Sequence, residues 1–390
     1  MKQSVSSEQE LAEAVAAAAG PLRIRGGGTR DIGRPVVGEV LSVAGLSGVD
    51  LYEPGALTLV ARAGTPLAEI DALLAGEGQR LAFEPMDHRV LLGTGGEPTI
   101  GGAVAANVSG PRRVQAGAAR DFALGARFVD GRGRVLKNGG RVMKNVTGYD
   151  LVKLLAGSWG TLGVLTEVSL KVQAVPETEA TLVARGLGLA EGVAALARAL
   201  GSPWDISGTV HLEVGEASET RVRIEGSEMS VRYRAGALAG AGFAGWEVVE
   251  GVASAVLWRE VRDVAPFAGD GRVIWRLSVK PSDAPVISAA LTAAGLVHRG
   301  IYDWGGGLMW LALEDGGDDA GEGLIRGQIA AHGGHAMLVR ASEALRGRIA
   351  VFQPQPAPVA ALMRGLKQKF DPRGILNPGL MMSEHDKAAG

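Results

Sequence analysis

The chain contains no cysteine. That excludes structural disulfides, a CxxC redox centre and any iron–sulfur cluster held by the chain's own thiolates. A charge excess of one sign is also missing: 40 Lys and Arg stand against 42 Asp and Glu, for a formal net charge of -2. No clustered basic surface argues for nucleic acid. Arg112, Arg113, Arg120, Arg127, Arg132 and Arg134 are too dispersed to track a polyanion. No apolar run reaches the roughly 20 residues that cross a bilayer. At the N-terminus there is no apolar signal core. Ser7 and Glu10 read instead as a capping box opening a helix through Ala19. The expectation is a cytoplasmic protein with at most peripheral contact at the inner face of the cell membrane.

Glycine is in excess. It supplies 59 of 390 residues, about twice the usual share of ~7%. The glycines lack a triplet period, and Val, Leu and Ala lie between them. Such density costs chain entropy unless tight turns or close backbone approaches require it. A cofactor wrapped in backbone loops is one such requirement; a Gly- and Ala-rich genomic background is the plain alternative. The length fits two domains, or one large domain with an insertion.

Along the chain, a strand at 22–25 runs into Gly26-Gly27-Gly28-Thr29. Strands follow at 38–43 and 57–63. Thr65-Pro66 caps a helix running to about Ala75, and a strand covers Arg80–Phe83. Ala103–Asn107 is a helical patch. A hairpin joins 122–129 to 134–137, a short helix covers 150–157, and 162–172 is a strand. Pro176 and the PETEA stretch mark a boundary. Beyond it, strands and helices alternate: helix 189–200, strands 207–214 and 220–225, helix 228–239, strand 245–250, strand 272–279, helix 284–294, strands 296–302 and 307–313, helix 320–332, strand 335–340. This predicts a two-layer α+β domain. Three prolines in 352–358 then interrupt regular structure before a helix over Ala360–Phe370.

Three segments carry the chemistry. Consecutive glycines at 26–28 let main-chain N–H groups converge on an anion, and Thr29 adds a hydroxyl donor. The pattern is neither GxGxxG nor GxxxxGK[ST], so it supports neither a Rossmann nor a Walker site. A second glycine-dense stretch, 93–110, holds Gly101-Gly102 just ahead of the helical patch, where free N–H groups and the positive dipole end are expected. Its small residues permit close approach of a large flat ligand, and Asn107 offers a donor and an acceptor. A small-residue helix packed on a sheet would read the same way. The third segment runs from Lys144-Asn145-Val146-Thr147-Gly148-Tyr149-Asp150 through Gly157-Ser158-Trp159-Gly160-Thr161-Leu162-Gly163-Val164. Tyr149 and Trp159 read there as packing residues.

These segments, as RIRGGGT, IGGAVAANVSGP and KNVTGYDLVKLLAGSWGTLGVLTEVSLKV, with a closing FDPRGILNPG, resemble the FAD-binding PCMH-type domain of the vanillyl-alcohol oxidase family. The resemblance covers roughly 1–176 and 350–380. The third segment most resembles the FAD-binding, GlcE-type subunits of bacterial glycolate oxidases. The resemblance implies an α+β fold: a two-part FAD-binding domain (1–176), an inserted ferredoxin-like α+β cap on the substrate side (177–342) and a C-terminal segment (343–390) returning to the flavin. It places Gly26, Gly27, Gly28 and Thr29 on the FAD pyrophosphate and Pro85 on the flavin side of the next loop. Gly93, Thr94, Gly101, Gly102, Ala106, Asn107 and Gly110 would follow the diphosphate and ribityl chain. Gly160, Thr161, Gly163 and Val164 would approach the adenine or diphosphate, and Asn377 the isoalloxazine. The family's covalent attachment often uses a histidine in the first glycine loop. This loop has none, so noncovalent FAD is expected.

The resemblance also implies oxidation of glycolate, a 2-hydroxy acid, to glyoxylate. Relatives that oxidise D-2-hydroxy acids tend to carry an H-x-G-D-G-N-x-H-like segment with a metal. Here Ala331-His332-Gly333-Gly334-His335 lacks its Asp and Asn. No metal is therefore expected, and no catalytic base is assigned among the six histidines. Arg299 and Arg340 are the candidates for a substrate carboxylate, by position in the second domain. A chain without cysteine fits a complex with a related FAD-containing catalytic subunit and a separate iron–sulfur subunit feeding quinone. Two alternatives stay open: a self-sufficient FAD-dependent D-2-hydroxy-acid dehydrogenase, and a redox-silent FAD-containing assembly subunit.

Overall fold

The computed structural model describes residues 2–141, 148–214 and 217–381. Lys144, Asn145, Val146, Thr147 and His385 lie outside the described residues. The structure is mixed α+β.

The N-terminal part is built on two sheets. Strands Lys2–Ser4, Glu39–Ser42 and Leu22–Arg25 form a parallel sheet with Glu39–Ser42 central. The C-terminal segment adds to it, because Leu376 bridges Leu22 in parallel. The second sheet is antiparallel and five-stranded, ordered Val49–Glu53, Thr58–Arg62, Val164–Lys171, Ala123–Val129, Val135–Gly139. Its core gathers Leu59, Ile70, Phe83, Phe128 and Leu170, all fully buried.

The rest centres on an eight-stranded antiparallel sheet. Its order is Glu247–Glu250, Thr178–Arg185, Ala217–Gly226, Ile206–Val214, His298–Asp303, Leu308–Leu313, Ile274–Ser278, His335–Arg340. Leu308–Leu313 is apolar and buried at all six positions, as befits a strand covered on both faces. Helix Leu189–Leu200 lies over the sheet with Gly192, Val193, Ala195, Leu196 and Ala199 buried, a stripe at helical spacing. The largest core cluster joins the two parts: Ile32, Met86, Leu91 and Val108 pack with Trp275, Trp304 and Trp310.

Several local expectations give way to tertiary context. Ser7 accepts from the Glu10 amide, but the Glu10 carboxylate reaches the Ser6 amide, and the helix stops at Ala17. Thr65 does not cap the next helix: its hydroxyl lies within donating distance of the Arg62 and Gly48 carbonyls, and Pro66 takes the cap position. The strand expected over Arg80–Phe83 shrinks to Gln79–Arg80 because Glu84 turns back to Leu81. Thr178–Arg185 forms a strand inside the supposed boundary, and helix Gly251–Arg262 was not expected at all.

Candidate functional site: a glycine-lined cleft opening into a second cavity

A cleft of about 160 Å3 runs between the first glycine turn, the start of helix Ile100–Ala105 and the turn before strand Val164–Lys171. Gly26, Gly27, Gly28, Thr29, Gly101, Gly102, Ala106, Gly160, Gly163, Val164 and Asn377 line it. From Gly26 to Ile32, no main-chain amide donates a hydrogen bond to any described residue. Seven consecutive residues that line the cleft therefore carry amides without a described protein partner. Unpaired amides are costly unless water or a ligand satisfies them. Converging amides of this kind suit phosphate oxygens.

Arg30 ends the same turn. Its Nη2 is buried and has no hydrogen-bond partner. Its Nε donates to His88 Nδ1 at 3.1 Å, so the tautomer that satisfies the pair puts the His88 proton on Nε2. Burial, with the Arg30 charge beside it, holds His88 well below the usual histidine range and therefore neutral. Burial lowers Arg30 itself to about 10, still a cation at neutral pH. An orphaned guanidinium nitrogen beside seven free amides fits a pyrophosphate.

The second glycine segment contributes differently from the expectation. The Ile100 and Gly101 amides donate to the carbonyls of Thr65 and Ala63, and the Gly102 amide donates to Thr99 Oγ1. No free amide remains at that helix start. Gly101 is there because a Cβ would sit 2.5 Å from the Ala63 Cβ. Gly27 is equally constrained, since its Cβ would fall 1.5 Å from the Glu97 carbonyl oxygen. These two glycines let the chain's own loops touch and so build the cleft wall.

Asn377 lines the cleft and also clamps it. Its Oδ1 accepts from the Ile24 amide at 2.8 Å and its Nδ2 donates to the Trp159 carbonyl at 2.9 Å. Thr94 is not in the wall; its hydroxyl donates to the Thr29 carbonyl at 2.8 Å and so steadies the first turn. Thr161 stands behind the wall, its hydroxyl on the Ser158 carbonyl and its own carbonyl accepting from Lys367. Pro85 and Gly93 line neither cavity. Tyr149, read as packing, is 88% exposed.

Arg34, Ala106 and Trp159 are shared with a second, larger cavity of about 410 Å3. Asn107 and Gly110 face this cavity, with His88, Arg113, Arg276, Asp303, Trp304 and His335. Burial pushes Asp303 up to about 7. Among the described residues, four of the nine non-glycine residues with positive φ line one or other cavity: Asn107, Trp159, Trp304 and Asn377. Such backbone strain gathers at functional sites. His332 ends helix Glu322–His332 and lies 3.8 Å from Asp283, while His335 opens the next strand. No group of three or more metal-ligating side chains occurs among the described residues.

Sequence reading missed Arg30, His88, Arg113, Arg276 and Trp304. Only Arg30, directly after the glycine run, had a local signal. The two arginines it chose are occupied: Arg340 donates to the carbonyls of Arg272, Leu91 and Phe267 and pairs with Asp270, and Arg299 pairs with Glu314.

The α+β fold and this cleft define a flavoprotein, an FAD-dependent oxidoreductase. The family description "FAD binding domain" matches residues 4–139. The chain is 37% identical over 366 residues to glycolate oxidase subunit GlcE of Escherichia coli (strain K12), covering 93% of each chain. It is 35% identical over 132 residues to glycolate oxidase subunit GlcD of Bacillus subtilis (strain 168), covering 34% of this chain and 25% of that one. In structure it is similar to alkyldihydroxyacetonephosphate synthase, with TM-score 0.69 and 19% identity over 96% of this chain and 76% of the other. The chain belongs to the GlcE family of glycolate oxidase subunits.

Proposed function

We propose that this chain is the FAD-holding subunit of a complex that oxidises glycolate to glyoxylate, with a GlcD-like flavin subunit and an iron–sulfur subunit as partners. The observation that carries the reading is the run of seven unpaired amides from Gly26 to Ile32, beside the orphaned Arg30 nitrogen. FAD, when bound, supplies a two-electron acceptor that no side chain of this chain offers. The protein's part is to grip the phosphates at the first glycine turn. The Asn377 clamp and the Thr94 and Lys367 bonds hold the walls. Noncovalent binding fits a first glycine turn that holds no histidine. Electrons would leave towards quinone through the iron–sulfur subunit, since the chain has no cysteine. No helix among the described residues is long and apolar enough to cross a membrane; a cytoplasmic complex, peripheral at the inner membrane face, fits that.

Residues 177–342 would form the cap over the substrate side, and 343–390 the returning segment. A self-sufficient 2-hydroxy-acid dehydrogenase is the second reading, favoured by a second cavity that lies within this one chain. The test is reconstitution of the complex with this subunit flavin-free. Glycolate turnover should fall sharply and return on adding FAD. Full turnover without flavin in this subunit would contradict the reading, and flavin bleaching by glycolate in the isolated chain would favour the second.

A further inference from the structure

Two cations that line the second cavity make no hydrogen bond or ion pair among the described residues. Arg113 and Arg276 both line it. Neither guanidinium has a hydrogen bond or an ion pair with any described residue, whereas neighbouring Arg34 and Arg262 are both engaged. Arg113 comes from helix Arg113–Ala116, next to the second glycine segment; Arg276 comes from strand Ile274–Ser278 of the large sheet. They meet at one ring: the Arg113 Cζ lies 4.7 Å and the Arg276 Cζ 5.3 Å from the Trp304 centroid.

That ring is held in place at a cost. Trp304 has φ 55°, a conformation bulky side chains avoid. Its amide donates to Asp303 Oδ1 at 2.7 Å and its Nε1 donates to the Gly110 carbonyl at 3.0 Å. A residue kept in a disfavoured conformation by bonds from both parts of the molecule marks a position whose geometry matters. Asp303 and Asp121 act on the two arginines through space, but no carboxylate among the described residues bonds to either guanidinium. Two like charges brought to one ring are unfavourable unless an anion completes them. Burial and the Arg113 charge lower Arg276 to about 10, so it remains a cation at neutral pH.

We propose that Arg113 and Arg276 bind the carboxylate of a small 2-hydroxy acid within this chain, with Trp304 setting their separation. This rests on the flavin-subunit reading above. A carboxylate is planar, with two oxygens that match guanidinium forks. The cavity shares Arg34, Ala106 and Trp159 with the glycine-lined cleft, so an acid held there lies next to the cofactor's place. The subunit would then take part in substrate capture as well as in holding flavin.

The test uses the flavin-loaded protein and oxalate, which has no C–H bond to lose. Calorimetric titration should show one oxalate per chain. Arg113→Met and Arg276→Met should each weaken it about tenfold to a hundredfold, the cost of losing a charged hydrogen bond. Bound FAD per chain should stay at the wild-type value, and Arg276→Lys should recover part of the affinity. Unchanged oxalate binding in both Met variants, or no binding by the wild type, would overturn the proposal. So would loss of FAD in the Met variants, because the arginines would then serve the cofactor's phosphates. Should Arg276→Met fail to fold, the partly exposed Arg113→Met and Arg276→Lys decide. A wild-type protein without flavin would instead sink the reading beneath it, and absorbance shows that before oxalate is added.

Discussion

At the scale of single residues, burial and charge decide what each group can do. Arg30 lines the cleft beside the free amides and keeps one buried nitrogen without a partner. Arg30→Met should weaken FAD binding by about tenfold or more, the worth of a charge-assisted bond. Fluorescence titration of the apoprotein with FAD reads this directly. Asp303 is 3% exposed, and burial lifts its carboxyl from 3.8 to about 7. The folded state then keeps a proton that the unfolded chain releases between those values. Its contribution is therefore full at acid pH and is lost as pH rises from about 4 to about 7. Asp303→Asn should remove that loss, raising stability at pH 8 by about 2–4 kcal/mol relative to wild type while changing little at pH 4. Denaturant melts at the two pH values check the sign.

At the scale of elements, one ion network ties the glycine-loop part to the large sheet. The Glu84 carboxylate accepts from Arg223 Nη1 at 2.9 Å and from the Arg112 amide at 2.8 Å. Glu225 pairs with Arg80 at 2.9 Å and with Arg112. Burial raises Glu225, but Arg223, Arg112 and Arg80 outweigh it and bring the group down to about 2. Removing one partner from a buried network leaves uncompensated charge. Glu84→Gln should therefore cost about 3–5 kcal/mol in a urea melt, with the FAD affinity of the folded fraction retained.

What the sequence discloses also divides by element. The first glycine turn is legible because its chemistry is local: seven adjacent residues supply the donors. The helix start at Gly101-Gly102 misleads because the Ile100 and Gly101 amides go to the carbonyls of Thr65 and Ala63, contacts set by tertiary approach, and Thr99 caps the Gly102 amide. Helix Gly251–Arg262 escapes notice because glycine and valine at its start are poor helix formers; packing of Trp258 and Val261 carries it. The second cavity is illegible for the same physical reason. Arg113, Arg276 and Trp304 are far apart in the chain and meet only through the packing of the two parts.

At the scale of the whole molecule, cofactor binding and folding should be linked. A ligand that binds only the folded state at a hundred times its Kd adds about 2.7 kcal/mol. For parts of this size that corresponds to a rise of about 5 °C or more in melting temperature. Scanning calorimetry at increasing FAD concentration should show Tm climbing with the logarithm of free FAD, and no such dependence with riboflavin, which lacks the phosphates.

The proposed grip of bare amides on the two phosphates is best measured by cofactor stoichiometry. Gly102 has Arg30 Nη1 and Thr99 Oγ1 at 3.0 and 3.1 Å from where a Cβ would stand. Gly102→Trp should thus fill the cleft mouth. Heat-released chromophore from the natively purified wild type should be FAD at one per chain, and the folded Gly102→Trp variant should be colourless. A colourless wild type, or a variant carrying a full complement of FAD, would mean that the cofactor does not lie in this cleft.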